Sequence, residues 1–171
     1  MTRANELHNS DAIDLSPYQT GSGILGVLRS MQTVAVVGLS ANELRASHFV
    51  GFYLKNHGYR VVPVNPREKT ILGERSYASL KDIPFTVDVV NVFRAPAAVP
   101  GIATEAVEIG AKRLWLQFGV ISPEGIAIAA EGGLDLVVDR CIKVEHARYM
   151  GRMHWLGFNT GRVTSRRGPL Q

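Results

Sequence analysis

Val34-Ala35-Val36-Val37-Gly38 is the stretch of this sequence that decides its fold, because a short, wholly apolar run ending in glycine predicts a strand buried on both faces. Residues 46–57 then carry apolar and aromatic side chains at helical spacing, and Gly58 supplies a helix stop. Further strands are predicted at residues 59–64, 87–92, 113–117 and 134–138. Further helices are predicted at residues 99–109 and 122–131.

Apolar strands that alternate with amphipathic helices predict a parallel sheet covered on both faces. We therefore expect an α/β fold, a Rossmann-like open parallel sheet of about five strands with helices on both faces. Right-handed crossovers bring the carboxyl ends of such strands to one edge of the sheet, and ligands bind at that edge. The residues that directly follow each strand are therefore the candidates for function.

The 171 residues divide by composition into a folded domain and two flanking segments. Residues 1–30 are predicted as an N-terminal arm containing a short helix, residues 31–149 as the domain, and residues 150–171 as a basic tail. Residues 146–171 hold five arginines and no acidic residue, so the net charge of +4 belongs to the tail. We expect a tail of this kind to be solvated or covered by a protein partner rather than by nucleic acid, since the domain lacks a basic stripe with aromatic platforms.

Composition also indicates in which part of the cell the protein is expected. No apolar run approaches the roughly 20 residues of a membrane span, and residues 1–30 lack the pattern of a secretory signal. Cys141 is the single cysteine, so no disulfide can form within the chain. A reducing cytoplasm is the expected location.

The turn after the first strand, Gly38-Leu39-Ser40, is the first candidate binding site. A phosphate can bind there against backbone N–H groups and the positive end of the next helix. The hydroxyls of Ser40 and of Ser47, the predicted helix N-cap, can donate to phosphate oxygens, and Arg45 adds positive charge. A dinucleotide site would read G-x-G-x-x-G, and only the first glycine is present, so an ordinary turn explains the motif almost as well.

The residues after the second strand, Val64-Asn65-Pro66-Arg67-Glu68-Lys69, bear on the identity of the cofactor. An NAD site normally places an Asp or Glu at the strand end to hold the ribose hydroxyls, and that carboxylate is missing. Arg67 and Lys69 can instead bind a phosphate on the adenosine ribose, which NADP and coenzyme A both carry. A solvated loop shaped by Pro66 accounts for Arg67 equally well.

Two later strand ends complete the predicted edge. Phe93 and Arg94 follow the third strand, where the arginine can face a pyrophosphate and the ring can form an apolar wall. Gln117 ends the fourth strand, and Gly119 allows close approach of the backbone to a ligand.

The chain offers few groups for catalysis. Ser40 has no evident His and Asp partners and no G-x-S-x-G elbow around it. The pair Glu145-His146 lacks a familiar metal spacing, and Cys141 is expected to be half-buried. A non-catalytic binding protein is therefore favoured over an enzyme.

Taken together, these stretches resemble the bacterial and archaeal CoA-binding domain proteins, which are single-domain relatives of the CoA-binding part of the succinyl-CoA synthetase alpha subunit. The resemblance runs from Thr33 to His146. The matching stretches are Val36-Val37-Gly38-Leu39-Ser40, Pro63-Val64-Asn65-Pro66, Ile71-Leu72-Gly73, Val92-Phe93-Arg94, Ile109-Gly110-Ala111-Lys112, Trp115-Leu116-Gln117-Phe118-Gly119 and Asp139-Arg140-Cys141-Ile142-Lys143-Val144-Glu145-His146.

The resemblance implies a Rossmann-like fold that binds coenzyme A and acts as a binding module. It places the pyrophosphate on the first loop and the adenosine beside the second. The residues carried over by motif position are Gly38, Ser40 and Ser47 for the pyrophosphate, Asn65 and Pro66 for the adenosine, and Phe93 and Arg94 for the groove. Two departures are Glu43-Leu44-Arg45, where the family usually has a proline before the arginine, and Asn91, where it usually has an aspartate.

Three functional hypotheses remain at this stage. The first is a protein that binds coenzyme A or acyl-CoA as a carrier, sensor or partner module. The second is an NADP-binding reductase or redox sensor, which the same basic loop permits but the missing glycines disfavour. The third is an interaction protein that retains a nucleotide-binding fold and works through its arm and tail.

Overall fold

The structure, a computed structural model, describes residues 13–151. Its strands are β1 (Thr33–Val37), β2 (Arg60–Val64), β3 (Thr70–Ile71), β4 (Glu74–Arg75), β5 (Val89–Val92), β6 (Arg113–Leu116) and β7 (Asp135–Val137). Its helices are α1 (Gly21–Ser30), α2 (Ala46–Asn56), α3 (Val99–Glu108), α4 (Pro123–Glu131) and α5 (Ile142–Met150), and short 3-10 turns lie at Ser16–Tyr18, Leu80–Asp82 and Pro96–Ala98.

Part of the predicted arm and most of the predicted basic tail lie outside residues 13–151, so the interpretation of the tail as a partner-binding segment stays a prediction. Among the described residues, no helix combines the length and the apolar character that crossing a membrane requires.

Five strands form one sheet in the order β2-β1-β5-β6-β7, and every neighbouring pair is parallel. The predicted five-stranded parallel sheet is therefore confirmed, with strand bounds that differ from the prediction by one or two residues. Strands β3 and β4 form a separate antiparallel hairpin. The sequence patterns did not predict it, because a strand of two residues carries no periodicity.

Apolar side chains cover both faces of the sheet. Successive residues of β1 alternate between the faces, as the two-residue period of a strand requires: Ala35 and Val37 pack with α3 and α4, while Val34 and Val36 pack with α1, α2 and α5. Trp115 of β6 is fully buried on the second face. The predicted helices on both faces are therefore confirmed.

Helix α1 packs into the core, so the packed part of the chain begins ahead of residue 31, where the predicted domain starts. The Thr20 hydroxyl accepts a hydrogen bond from the backbone N–H of Gly23 at 3.2 Å and caps the helix. Ile24, Val27 and Leu28, at helical spacing, are each at most 5% exposed. Burying three such side chains offsets the roughly 1 kcal/mol that each glycine costs in a helix interior.

Helix α5 was not predicted, and the reason is visible in its buried residues. Ile142, Glu145 and His146 face the core at helical spacing, but two of the three are polar. A search for apolar periodicity passes over such a helix. The Glu145 carboxylate is held by Arg148 at 3.2 Å and Arg140 at 3.9 Å, which supplies the partners that a buried charge needs.

Candidate binding site at the carboxyl edge of the sheet

The strand order reverses at β1, whose neighbours are β2 on one side and β5 on the other. The helix that follows β1 packs on one face of the sheet and the helix that follows β5 packs on the opposite face. The two loops therefore diverge, and a crevice opens between them at the carboxyl ends of the strands.

A cleft of about 250 Å³ occupies this crevice. Its lining contains four of the predicted site residues, Gly38, Asn65, Pro66 and Arg94. The other lining residues are Val37, Val64, Ala78, Ser79, Leu80, Ala98, Ile102 and Glu105. Most of these lie in the segment between β4 and the turn at Leu80–Asp82 or in α3. Sequence reasoning missed those residues because they do not follow any of the strands that it predicted.

Gly38 has a conformation that only glycine adopts readily. Its φ is +86°, and its N–H donates to the Val64 carbonyl at 3.0 Å. A Cβ at this position would lie 3.0 Å from Cδ of Arg94 and 3.1 Å from the carbonyl oxygen of Phe93. Glycine is therefore required both for the left-handed turn and for the close approach of the loop after β5.

The rest of the first loop is held by its own hydrogen bonds. The backbone N–H of Ser40 donates to Oγ of Ser47 at 3.1 Å, and Oγ of Ser40 accepts from the N–H of Asn42 at 3.1 Å. Nδ1 of His48 lies 2.9 Å from the Ser40 carbonyl oxygen rather than from the hydroxyl, so it is not placed as a base for that hydroxyl. Ser40 and Ser47 thus lie together beside the turn, but neither lines the two clefts, and Ser47 is buried.

The prediction that Ser47 caps helix α2 is wrong. The helix begins at Ala46, and its N-cap is Arg45, whose side chain makes no capping hydrogen bond. Ser47 lies one position inside the helix, where its hydroxyl binds back to the loop instead. Arg45 is exposed and Leu39 is fully buried in the core, so neither side chain lines the cleft.

Asn65 joins the first loop to the second. Its Nδ2 donates to the Leu39 carbonyl at 2.9 Å, and its Oδ1 accepts from the N–H of Arg67 at 2.9 Å. Its own backbone N–H donates to the carbonyl of Tyr77 at 2.9 Å. The side chain therefore sets the shape of the cleft wall, a role that its place after β2 did not reveal.

A second cleft of about 340 Å³ continues from the first and shares Asn65, Pro66 and Ala78 with it. Lys69 and Arg75 both line it, together with Glu68 and Ser76. Arg67 lines neither cleft. The structure thus brings Lys69 together with Arg75, a residue of β4 that the sequence patterns did not single out.

The loops after β6 and β7 close on each other. Gln117 is 4% exposed, and its Nε2 donates to Oδ1 of Asn91 at 2.6 Å. The N–H of Gly119 donates to Oδ1 of Asp139 at 2.8 Å. Gln117 and Gly119 are not among the residues that line the two clefts. Phe93 does not line them either: it is half-buried and packs against the core cluster that contains α2.

A cluster of rings lies between α2 and α5. The Tyr53 hydroxyl is 3.0 Å from Nδ1 of His146, and the rings of His57 and Tyr59 approach that imidazole edge-on at 5.1 and 5.3 Å between centroids. Burial, with a smaller contribution from His57, lowers the pKa of His146 to about 4. His146 is therefore neutral at pH 7 and serves as a packed hydrogen-bonding residue.

The pKa of the neighbouring residue, Glu145, is shifted in the opposite direction. Burial raises the pKa of Glu145 above its usual range, although Arg148 and Arg140 lower it in part.

Among residues 13–151, no three His, Cys, Asp or Glu side chains are grouped so that they could hold a metal ion.

Several known proteins are similar to this chain in sequence and in fold. The family model for the CoA binding domain matches residues 32–147. An uncharacterised protein of Bacillus subtilis, YneT, is 40% identical over 121 residues, which is 71% of this chain and 90% of that protein. A hypothetical protein from Pyrococcus horikoshii superposes with a TM-score of 0.78 at 34% identity, covering 83% of this chain and all of that one.

A larger relative is the alpha subunit of an ADP-forming acetate–CoA ligase of Pyrococcus furiosus. It is 29% identical over 122 residues, which is 65% of this chain but only 27% of the subunit. The match to the family model covers more than half of the chain and includes β1 to β7 and the start of α5. The chain belongs to the CoA-binding domain family.

Proposed function

We propose that this protein binds coenzyme A, or an acyl-CoA, in the two joined clefts at the carboxyl edge of the sheet. The observation that carries the proposal is the turn at Gly38, which lines the first cleft together with Arg94, and the second cleft that adjoins it and is lined by two cations. Coenzyme A carries its pyrophosphate and a further phosphate on two different oxygens of one ribose, and the two clefts offer a positive group for each.

The pyrophosphate is assigned to the first cleft. Gly38 lets the Arg94 side chain pack against the turn, and the guanidinium of Arg94 can form charge-assisted hydrogen bonds with phosphate oxygens in the same cleft. Ser40 and Ser47 lie beside the turn but line neither cleft, so the proposal does not rest on their hydroxyls.

The ribose phosphate is assigned to the second cleft. Lys69 and Arg75 both line this cleft, as do Asn65 and Pro66, beside which the adenosine would be bound. The proposal assigns the ribose phosphate to Lys69 and Arg75, in place of Lys69 and Arg67, because Arg67 lines neither cleft.

We propose a binding role, as a carrier, sensor or partner module in the cytoplasm, rather than catalysis. Within the described residues, the Ser40 hydroxyl is contacted by a backbone N–H and not by a base. The acetate–CoA ligase subunit is almost four times as long as the matched region, so its reaction is not transferred to this chain. The comparisons lend no support to the alternative of an NADP-binding reductase.

Calorimetric titration with coenzyme A, dephospho-CoA and NADPH tests this function. We expect coenzyme A to bind about five- to ten-fold more tightly than dephospho-CoA, since partly exposed phosphate contacts contribute only modestly. The double variant Lys69→Gln/Arg75→Gln should remove that difference while leaving dephospho-CoA affinity unchanged.

Arg67→Gln is the matched control, because it removes one cation from the same loop without touching either cleft. It should retain the preference for coenzyme A. Failure of coenzyme A to bind below millimolar concentration, or tighter binding of NADPH, would contradict the proposed function. Loss of the preference in Arg67→Gln alone would return the ribose phosphate to that residue.

A further inference from the structure

An acidic side chain lies in the first cleft, to which the proposed function assigns a pyrophosphate. Glu105 of α3 lines that cleft together with Gly38 and Arg94. A carboxylate in contact with a phosphate would weaken its binding, because like charges repel at short distance. Glu105 is therefore suited to a part of the ligand that carries no negative charge.

The cleft is long enough to separate its two charged side chains. Ala98, the N-cap of α3, lines it together with Ile102 and Glu105, and this spacing puts all three residues on one side of the helix. At about 1.5 Å per residue, Glu105 lies roughly 10 Å further along the helix axis than Ala98. Arg94 precedes Ala98 in the loop after β5, so the cation marks the end of the cleft at the strand ends and the carboxylate marks its deeper part.

The Glu105 carboxylate has one oxygen bonded within the protein and one available to a ligand. Oε2 accepts a hydrogen bond from the backbone N–H of Leu80 at 3.1 Å, which holds the side chain against the turn at Leu80–Asp82. The adjacent cation, Lys81, pairs with Glu108. Within the part of the chain that the structure describes, no donor bonds to Oε1 of Glu105. That oxygen can therefore accept a hydrogen bond from a ligand.

The walls around this carboxylate are apolar. Val64, Leu80 and Ile102 line the cleft there, and the hydroxyl of Ser79 is already bonded to Asp82 at 3.0 Å. Apolar walls with a single available acceptor suit an aromatic heterocycle that carries an N–H donor, because the faces of the ring need no polar partner.

The base of coenzyme A has this chemistry. Adenine carries an exocyclic amino group that donates hydrogen bonds, and a ribose separates the ring from the pyrophosphate. We propose that the deeper part of the first cleft binds adenine, with Oε1 of Glu105 accepting a hydrogen bond from the amino group. The ribose then lies at Asn65 and Pro66, which line both clefts.

This assignment rests on the proposed function and makes Glu105 the residue that selects adenine over other bases. Guanine and hypoxanthine have an oxo group where adenine has the amino group, so they would turn an acceptor towards the carboxylate. Two acceptors that face each other without a proton between them are unfavourable.

The test is calorimetric titration of the full chain with coenzyme A and with two analogues that differ only in the base. One analogue carries unsubstituted purine, which lacks the amino group, and the other carries hypoxanthine. We expect both analogues to bind about ten-fold or more weakly than coenzyme A, since each lacks the donor that meets Glu105. Binding of the purine analogue as tightly as coenzyme A would overturn the assignment.

Two variants of α3 separate the roles of its carboxylates. Glu105→Gln keeps an oxygen for the Leu80 N–H and offers an amide N–H to the base, so the preference for adenine over hypoxanthine should fall to about two-fold or less. Glu108→Gln removes a carboxylate that lines neither cleft and should keep the full preference. A purely structural role of Glu105 would lower the affinity of Glu105→Gln for all three ligands equally, and that result would overturn the proposal.

Failure of the base assignment and failure of the proposed function give different results. If coenzyme A and both analogues fail to bind below millimolar concentration, the proposed function is wrong and the base assignment falls with it. If all three bind with equal affinity, coenzyme A binding stands and only the role of Glu105 is wrong. Both results are measured on the parent protein, so they do not depend on whether a variant folds.

Discussion

The two halves of the carboxyl edge of this sheet differ, although the same parallel strands end at both. Around β2, β1 and β5 the loops leave two joined clefts, although Asn65 bonds to the Leu39 carbonyl and Arg94 packs against Gly38. After β6 and β7 the loops are tied together, with Gly119 bound to Asp139 and Nε1 of Trp115 donating to the Arg140 carbonyl at 2.7 Å. The sequence patterns predicted candidate residues in both halves of the edge, and the two clefts lie in only one of them.

The position of the strand reversal and the local hydrogen bonds together account for the difference. The helices that follow β1 and β5 pack on opposite faces of the sheet, so their loops turn away from each other. The helices that follow β6 and β7, namely α4 and α5, also pack on opposite faces, so the closure of the second half comes from its hydrogen bonds and not from the direction of its crossovers. The reversal of strand order marks the open half as the ligand-binding part of the edge.

Substituting one glycine in each half gives the largest expected contrast. Gly38→Ala and Gly119→Ala both force alanine to a positive φ, +86° and +73°, which costs about 1–2 kcal/mol of stability in each case. Only Gly38→Ala also crowds Phe93 and Arg94, since nothing lies within 4 Å of a Cβ at Gly119.

We therefore expect coenzyme A to bind about ten-fold or more weakly to Gly38→Ala and with unchanged affinity to Gly119→Ala. Urea unfolding and calorimetric titration of both variants measure the two effects. Equal losses of affinity in the two variants would show that the halves do not differ in function.

Breaking the closed half should affect stability and not binding. Gln117→Leu leaves Oδ1 of Asn91 buried without its donor, and we expect the free energy of unfolding to fall by about 1–3 kcal/mol. The double variant Asn91→Leu/Gln117→Leu should recover part of that loss, because both polar partners are then gone. Weaker coenzyme A binding in stable Gln117→Leu protein would place Gln117 in the site after all.

The cluster of rings lies between α2, which follows β1 in the open half, and α5, which follows β7 in the closed half. We expect the pH dependence of its contribution to stability to be a smaller effect than those of the substitutions above. The native pKa of His146, about 4, lies below the ordinary value of 6.5, so the unfolded chain takes up a proton first as the pH falls. The stability due to neutral His146 is complete above about pH 6.5 and is lost as the pH falls towards about 4, with a slope of at most about 1.4 kcal/mol per pH unit.

The raised pKa of Glu145 acts in the opposite direction over part of this range, so the informative quantity is a difference. Urea unfolding of the parent protein and of His146→Gln at pH 7, 6 and 5 should show profiles that converge as the pH falls. Parallel profiles would mean that His146 titrates normally in the native state.

Particular residues show how far the sequence could be interpreted. The runs that became β1, β2, β5, β6 and β7 were recognised because strands covered on both faces must be apolar throughout. Helix α5 was missed because ion pairs and ring contacts satisfy Glu145 and His146, and no periodicity records a partner that is distant in sequence. Arg75 was missed for a related reason, since it reaches the second cleft through a turn of the β3–β4 hairpin.

The sequence by itself determined the alternation of strands and helices, the parallel sheet, the glycine turn after β1 and membership of the CoA-binding domain family. The strands, the sheet and the turn follow from local chemistry, because apolar periodicity and a glycine at a strand end act within a few residues, whereas the family follows from resemblance to known proteins. The tertiary structure alone decided which strand ends stand open, which cations line the same cleft and which polar residues are buried. Those outcomes depend on strand order and on contacts between residues far apart in the chain, which no local pattern encodes.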